Sequence, residues 1–287
     1  MSIDGGILYV VATPLGNRAD LSYRALEVLK QVDQILAEDT RTSAKLLAHY
    51  GITTPVMALH EHNERRATGP LIERLKAGER LAVISDAGTP LISDPGFWLV
   101  SQARAAGVRV ETVPGPCAAI AALSIAGLPA ERFVFEGFLP PKAAARRSRL
   151  EELRHEPRTL VFYETPHRIV AALKDLQALF GGDRPAVVAR ELTKIYESVY
   201  EGSLSSLLEQ FQQHPEICRG ELVVLVQGAP PLAPDREQAA QVLAILRRYL
   251  PLGQAAAAAS EITGIPRGEL YRVGLGEPDK EREPDQE

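Results

Sequence analysis

Short, unbroken aliphatic runs alternate with segments of helical spacing in the first half of the chain. The runs fall at 7–12 (ILYVVA), 34–37, 56–59, 81–85 (LAVIS) and 108–113. Between them, 23–31, 41–50, 71–77 and 97–106 repeat apolar positions every three or four residues. A strand buried on both faces shows no in–out alternation, and a helix between successive strands returns the chain for parallel pairing. The pattern predicts a parallel sheet with helices on its faces and ligands at the carboxyl ends of its strands.

Val113-Pro114-Gly115-Pro116 resists both helix and strand and marks a boundary. Beyond it, helices are expected at 118–126, 143–154, 169–180 and 204–212, and strands at 133–138, 159–163, 186–189, 199–201 and 221–226. The strip 228–234 (GAPPLAP) has the composition of a Pro-rich linker. Helical patterns follow at 237–249, 254–261 and 267–273. The alanine run 255–259, the Thr263-Gly264-Ile265-Pro266 turn and the segment after it have a helix–turn–helix rhythm. The predicted organisation is an α/β domain over 1–114, a second over 115–228, a small all-α helix–turn–helix-like tail over 229–275, and a disordered charged end over 276–287.

Composition narrows the chemistry. The 287 residues carry a formal net charge of −5, which argues against a protein that coats nucleic acid by bulk charge and leaves room for a local basic patch. Two distant cysteines, Cys117 and Cys218, exclude a disulfide scaffold or a multi-cysteine metal centre. No apolar run reaches the roughly 18 residues of a membrane span. With no secretory signal in MSIDGGILYVVA, the expected location is the cytoplasm and no membrane partner is expected.

Three Gly/Pro loops follow three strands of the first domain: Thr13-Pro14-Leu15-Gly16-Asn17, the stretch from Asp86 to Gly96 (DAGTPLISDPG), and Pro114-Gly115-Pro116. At one end of a parallel sheet they would line one crevice, with Asp86 and Asp94 able to accept hydrogen bonds from hydroxyls or an amine. As plain βα turns they would need only Asn17, Asp20 and Asp94 as caps. Neither GxxxxGK[ST] nor a G-x-G-x-x-G after the first strand is present, so a nucleoside without a polyphosphate fits better than a phosphate cradle.

In Glu38-Asp39-Thr40-Arg41, Asp39 or Thr40 has the position of a helix N-cap, whereas Arg41 could reach a phosphate. The stretch 142–158 holds six Lys/Arg against three Glu, a footprint for phosphate contacts or a solvated helix face with pairs such as Arg147–Glu151. Tyr163-Glu164-Thr165-Pro166-His167-Arg168 and Arg190-Glu191-Leu192-Thr193-Lys194 place polar groups at strand ends. His60 and His62 lack a third ligand, and no nucleophile elbow or Cys–His signature is present.

Taken together, LYVVATPLGNRADLSYRAL (8–26), AEDTRTSAKLL (37–47), SDAGTPLISDPG (85–96), VPGPCAAIAALSIAGLP (113–129), FEGFLP (135–140), FYETPHRI (162–169) and ARELTKIYE (189–197) resemble the tetrapyrrole methylase-like class of S-adenosylmethionine-dependent methyltransferases. The likeness is to the branch that methylates the ribose 2′-oxygen of a cytidine in the decoding region of small-subunit ribosomal RNA. It implies two α/β domains with the donor, S-adenosyl-L-methionine, in the cleft between them, and a homodimer. Carried over by motif, the donor is expected to contact Pro14, Asp86, Gly88, Thr89, Pro90, Ser93, Asp94, Ala118 and Ala119, and from the second domain Tyr163, Glu164, Gly220 and Glu221. Tetrapyrrole-methylating relatives have Gly-Asp-Pro where this chain has Gly88-Thr89-Pro90, which weakens a tetrapyrrole acceptor.

A ribose hydroxyl attacks better with a base in reach. Glu191, Lys194 and Glu164 are the main candidates, and a deprotonated Lys142 is a further one. Arg41, Lys142, Arg146, Arg147, Arg168 and Arg190 are candidate contacts to RNA, either naked small-subunit RNA or the assembled subunit. The tail helices would add further RNA contacts. The competing readings are a small-molecule tetrapyrrole methyltransferase and a non-catalytic RNA-binding or ribosome assembly factor on the same fold, with a nucleotide-dependent dehydrogenase disfavoured by the missing fingerprint.

Overall fold

The computed structural model describes residues 5–230 and 236–276. Part of the predicted linker 228–234, and nearly all of the charged end expected to be disordered, lie outside the described residues. The chain forms two compact units that divide after Ala229.

The first sheet of the larger unit comprises β1 (Ile7–Val11), β2 (Gln34–Ala37), β3 (Val56–Ala58), β4 (Arg80–Ile84) and β5 (Arg109–Val113). All neighbours are parallel, in the order β3-β2-β4-β1-β5. The connecting helices are α1 (Tyr23–Gln31), α2 (Thr40–His49), α3 (Glu64–Lys76) and α4 (Phe97–Ala105). The two-residue period of a strand assigns the faces. Ile35, Ala37, Ala82 and Ile84 pack with α1 and α2, whereas Leu36, Leu81 and Val83 pack with α3 and α4. Both faces are buried, which is why these strands show no alternation in the sequence.

The chain leaves β1 through α1 on one face and leaves β4 through α4 on the other. Neighbouring strands whose connections depart to opposite faces open a crevice at their carboxyl ends. Two hydrogen bonds stitch the loops there: Thr13 N–H donates to the Gly88 carbonyl at 2.8 Å, and Gly88 N–H to the Thr13 carbonyl at 3.0 Å. Local chemistry sets the helix starts. The Ser22 hydroxyl accepts from Ala25 N–H at 3.1 Å, and the Asp39 carboxylate from Arg41 N–H at 2.8 Å.

Most element ends lie within three residues of the sequence expectation, and one boundary differs widely. The pattern places α3 from 71, after Gly69-Pro70, yet the helix starts at Glu64 and carries Pro70 inside it. Thr68, Leu71, Ile72 and Leu75 form one buried face across the proline, and their burial outweighs one missing N–H. His60 and His62 accordingly lie at the turn before this helix. Just before β1, Gly6 is buried, and an added Cβ would sit 2.2 Å from the carbonyl oxygens of both Leu75 and Glu79. Gly6→Ala is expected to cost about 1–3 kcal/mol, read as a lower urea midpoint; an unchanged midpoint would show that the turn after α3 gives way freely.

The second sheet contains β6 (Phe133–Phe138), β7 (Thr159–Glu164), β8 (Pro185–Arg190), β9 (Ser198–Ser203) and β10 (Leu222–Val226), in the order β6-β7-β10-β8-β9. Only β6 and β7 pair in parallel. Its helices are α5 (Ala118–Ile125), α6 (Ala143–Leu153), α7 (Ile169–Phe180) and α8 (Leu204–Gln213). Leu160, Phe162, Val188 and Val224 face α6, α7 and α8. Val161, Val187, Val223 and Leu225 face α5 and, beside it, Leu15. Leu15 belongs to the loop after β1, so the first sheet's loops contribute a side chain to the core of the second sheet.

The smaller unit packs α9 (Arg236–Leu246), α10 (Leu252–Thr263) and α11 (Arg267–Leu275). Ala255, Ala256 and Ala259 are fully buried and let the helices approach closely. Gly264 ends α10 at φ +73°, a conformation that favours glycine, and Pro266 precedes α11. Among the described residues, no helix is long and apolar enough to cross a membrane.

Candidate active site

A cavity of about 350 Å³ lies where the loops of the first sheet meet the second sheet. Of the residues expected around a donor, Asp86, Gly88, Thr89, Ser93, Asp94 and Ala118 line it from one side. Tyr163, Glu164, Gly220 and Glu221 line it from the other. Pro14, Pro90 and Ala119 are buried one position away from lining residues and do not line it themselves. The Pro114-Gly115-Pro116 loop supports the wall instead of forming it: the Pro116 carbonyl accepts from the Thr89 hydroxyl at 2.9 Å. Glu38, Phe138 and Leu192 line the cavity without having been singled out for it from sequence. Glu38 stands at the carboxyl end of β2, and that position was the available signal.

The backbone is unusual here. Among the described residues, four non-glycine residues have positive φ: Leu91 (73°), Ser93 (68°), Glu191 (52°) and Thr193 (67°). All four lie in the two loops flanking the cavity. Such conformations cost energy, and they persist where the surroundings over-determine them, typically at ligand sites. Gly137 on β6 packs so closely to Ser93 that an added Cβ would sit 2.9 Å from its hydroxyl.

The cavity wall is acidic. Glu38, Asp86, Asp94, Glu164 and Glu221 line it, and no Lys, Arg or His is among the described lining residues. Burial, then the Asp86 charge, raises the Glu38 carboxyl. Burial likewise raises Asp86, whose Oδ1 accepts from Asp39 N–H at 3.1 Å. Asp94 is pushed up to about 6, chiefly by burial and further by Glu38 and Asp86, against a lowering hydrogen bond with Ser85. Three carboxyls that resist ionisation together favour a cationic ligand and disfavour a polyphosphate. Among the described residues, no group of three or more His, Cys, Asp or Glu is arranged to hold a metal ion.

The candidate bases differ in their availability. Glu191 Oε1 accepts from Lys194 Nζ at 2.8 Å and from Glu221 N–H at 2.9 Å. Burial opposes its ionisation, yet these partners hold the carboxyl below its usual range. Burial opposes the Lys194 charge too, but Glu191 and Glu221 raise the amine above its ordinary value. Lys194 is therefore a fixed cation, not the neutral amine a base requires. Its stem lies over Gly16, and the Thr193 hydroxyl accepts from Asn17 N–H at 3.1 Å, so this loop straps the second sheet to the loop after β1. Glu164 is buried. Its Oε1 accepts from Thr165 N–H at 2.7 Å and Arg168 Nε at 2.8 Å, while Oε2 has no partner among the described residues.

The basic residues are mostly engaged. Arg41 folds back on Asp39 at 3.0 Å and remains exposed. Arg146 is 7% exposed and binds Asp175 at 2.7 Å, so it fastens α6 to α7 and is not presented to a polyanion. Arg147 shares Asp175 rather than pairing with Glu151. Arg168 pairs with Glu164, and Arg190 caps the Arg219 and Tyr196 carbonyls. Lys142 is exposed at the start of α6.

The model of the family Tetrapyrrole (Corrin/Porphyrin) Methylases matches residues 7–208, and that of the RsmI C-terminal HTH domain matches residues 233–277. The chain is 54% identical over 278 residues to ribosomal RNA small subunit methyltransferase I of Pseudomonas aeruginosa, covering 95% of this chain and 98% of that protein. It is 55% identical over 267 residues to the protein of the same name from Xylella fastidiosa, covering 93% and 98%. Two solved structures share the fold. A diphthine synthase does so with TM-score 0.58 at 18% identity, covering 78% of this chain and 90% of its own. The uroporphyrin-III-C-methyltransferase of Thermus thermophilus does so with TM-score 0.53 at 21% identity, covering 77% and 94%. With the parallel sheet, the acid-walled cleft and the helical tail all in place, the chain belongs to the tetrapyrrole (corrin/porphyrin) methylase family, in the branch that carries the C-terminal helix–turn–helix domain.

Proposed function

We propose that this protein transfers a methyl group from S-adenosyl-L-methionine to the ribose 2′-oxygen of a cytidine in small-subunit ribosomal RNA. The observation that carries the donor is the cleft wall, with five carboxyl residues and no basic one among its described lining. The relatives' name, at about half identity over nearly the whole chain, supports the acceptor. It also supports the cytoplasm as the place of action. We propose a homodimer as the assembly; Phe97 on α4 and Ile120 and Ile125 on α5 offer exposed apolar surface for it.

When bound, the donor supplies a methyl group on a positively charged sulfur. Glu38, Asp86 and Asp94 provide the negative potential that holds such a cation. Gly88, at φ +85°, lets the backbone approach a ligand closely. The Tyr163 hydroxyl accepts from Ala119 N–H at 3.2 Å, and burial together with Cys117 raises it, so it stays protonated and neutral. Holding acceptor and donor in attack geometry is the cleft's main contribution. Glu164 is the base best placed to take the hydroxyl proton, because Arg168 orients one carboxylate oxygen and the other is uncommitted. Such a base contributes roughly 10²- to 10⁴-fold.

The test incubates labelled donor with small ribosomal subunits lacking the modification and maps the labelled nucleotide and atom. Label on one cytidine 2′-oxygen is the expected result. In a parallel incubation with a tetrapyrrole, label on that compound but none on RNA would overturn the acceptor, and RNA binding without transfer would leave an assembly factor.

A further inference from the structure

The loop between β8 and β9 has two sides. Leu192 faces inward and lines the donor cleft, and Lys194 reaches Glu221, another lining residue, at 3.3 Å. The next two residues, Ile195 and Tyr196, are 94% and 71% exposed. These side chains stand largely in solvent, yet their backbone is pinned. The Tyr196 carbonyl accepts from Arg190 at 3.3 Å and from the Ser198 hydroxyl at 3.1 Å. Thr193 N–H donates to Glu197 Oε2 at 2.5 Å, and Glu197 N–H to the Lys194 carbonyl at 3.1 Å. The positive φ values at Glu191 and Thr193 are held by this network. Lys194 is already paired with Glu191 and Glu221, and Glu197 is exposed beside it, so the cations left to meet a phosphate are Arg190 and exposed Arg219. A pinned loop that shows water an isoleucine and a tyrosine beside these two arginines has a surface matched to one class of ligand. Single-stranded RNA offers flat bases that stack on aromatic faces and phosphates that seek cations.

We propose that Tyr196, with Ile195 beside it, is the stacking platform for a base of the RNA at the mouth of the donor cleft. The inference rests on the reading of this protein as an RNA methyltransferase. The aromatic ring holds the nucleotide that carries, or adjoins, the reacting ribose, and the pinned backbone means that little ordering is required on binding. Tyr196 is a positioning residue; no proton or bond changes at it.

Methyl transfer to small ribosomal subunits lacking the modification is measured for wild type, Tyr196→Ala, Tyr196→Phe and Tyr196→Trp, with donor binding followed by calorimetry. Tyr196→Ala is expected to lower kcat/KM for the subunit on the order of 5- to 100-fold, mainly through KM. The phenylalanine and tryptophan variants should stay within about threefold of wild type, since stacking needs only the ring. Donor affinity should be the same in all four. Wild-type kinetics for Tyr196→Ala would overturn the platform while leaving the function intact. Loss of a dimer in Tyr196→Ala and Ile195→Ser, seen by light scattering, would reassign this surface to a second copy of the chain. A wild-type protein that labels no RNA would instead remove the function reading, and the platform with it.

Discussion

Arg146→Ala is expected to destabilise the larger unit by about 3–5 kcal/mol, because it strands a buried carboxylate. Arg146 and Asp175 are 7% and 3% exposed and meet at 2.7 Å across α6 and α7. Arg147 supplies the second hydrogen bond to Asp175 but is 61% exposed, so solvent takes over most of its role. For a unit of this size, each kcal/mol is worth roughly 2–4 °C in Tm. A fall on the order of 10 °C is expected for Arg146→Ala, and one of a few degrees at most for Arg147→Ala. The double change Arg146→Met with Asp175→Leu should recover most of the loss, since apolar pairs replace buried ion pairs well.

The same pair fixes a pH dependence. Burial pushes the Asp175 carboxyl up, but the hydrogen bonds from Arg147 and Arg146 outweigh it and hold the group below its ordinary 3.8. A lowered folded-state value stabilises above the unfolded value, and the contribution is lost as pH falls through the lowered one. The stability gap between wild type and Arg146→Ala should therefore close in strong acid. Thermal unfolding across pH checks both points. A normal Tm with selectively weakened RNA binding would return Arg146 to the surface role its sequence suggests.

Arg146 also shows where sequence is informative and where it is not. The strands were legible because burial on both faces writes a continuous aliphatic run, and the Gly/Pro loops because few other residues make such turns. Charge is harder to place. The run 142–158 looks basic in one dimension, but Glu136 and Asp175, which neutralise Arg149 and Arg146, lie on other elements. Likewise, α3 passes through Gly69-Pro70 because a buried face overrides a local breaker. Asp86 and Asp94 were legible as loop residues able to accept hydrogen bonds. Glu38 was not, because its role depends on where β2 ends relative to β4 (two strands that pair although α2, β3 and α3 separate them in the chain).

Donor affinity is expected to fall as pH drops through about 6, and Asp94→Asn is expected to flatten that dependence. Asp94 stands at about 6 against an ordinary 3.8, raised by burial and by the Glu38 and Asp86 charges, with Ser85 opposing and the neutral Tyr163 hydroxyl nearby. In the donor-free protein a raised carboxyl adds stability while protonated, and that contribution is lost as pH rises from its unfolded value through 6. A sulfonium in the cleft reverses the preference, since the ionised carboxylate now has a cation beside it. Binding at pH 6, where Asp94 is half protonated, should then release about half a proton, detectable by calorimetry in buffers of different ionisation enthalpy. If the cation returns Asp94 by roughly two units, the affinity between pH 4 and pH 8 changes by about 100-fold, at tenfold per unit. Asp94→Asn should lose both the released proton and most of that span, while Glu38 and Asp86 leave a smaller residual slope. A flat affinity profile in the wild type would mean that the acid wall does not face the donor's charge. The three carboxyls would then have to be explained by something other than the cofactor.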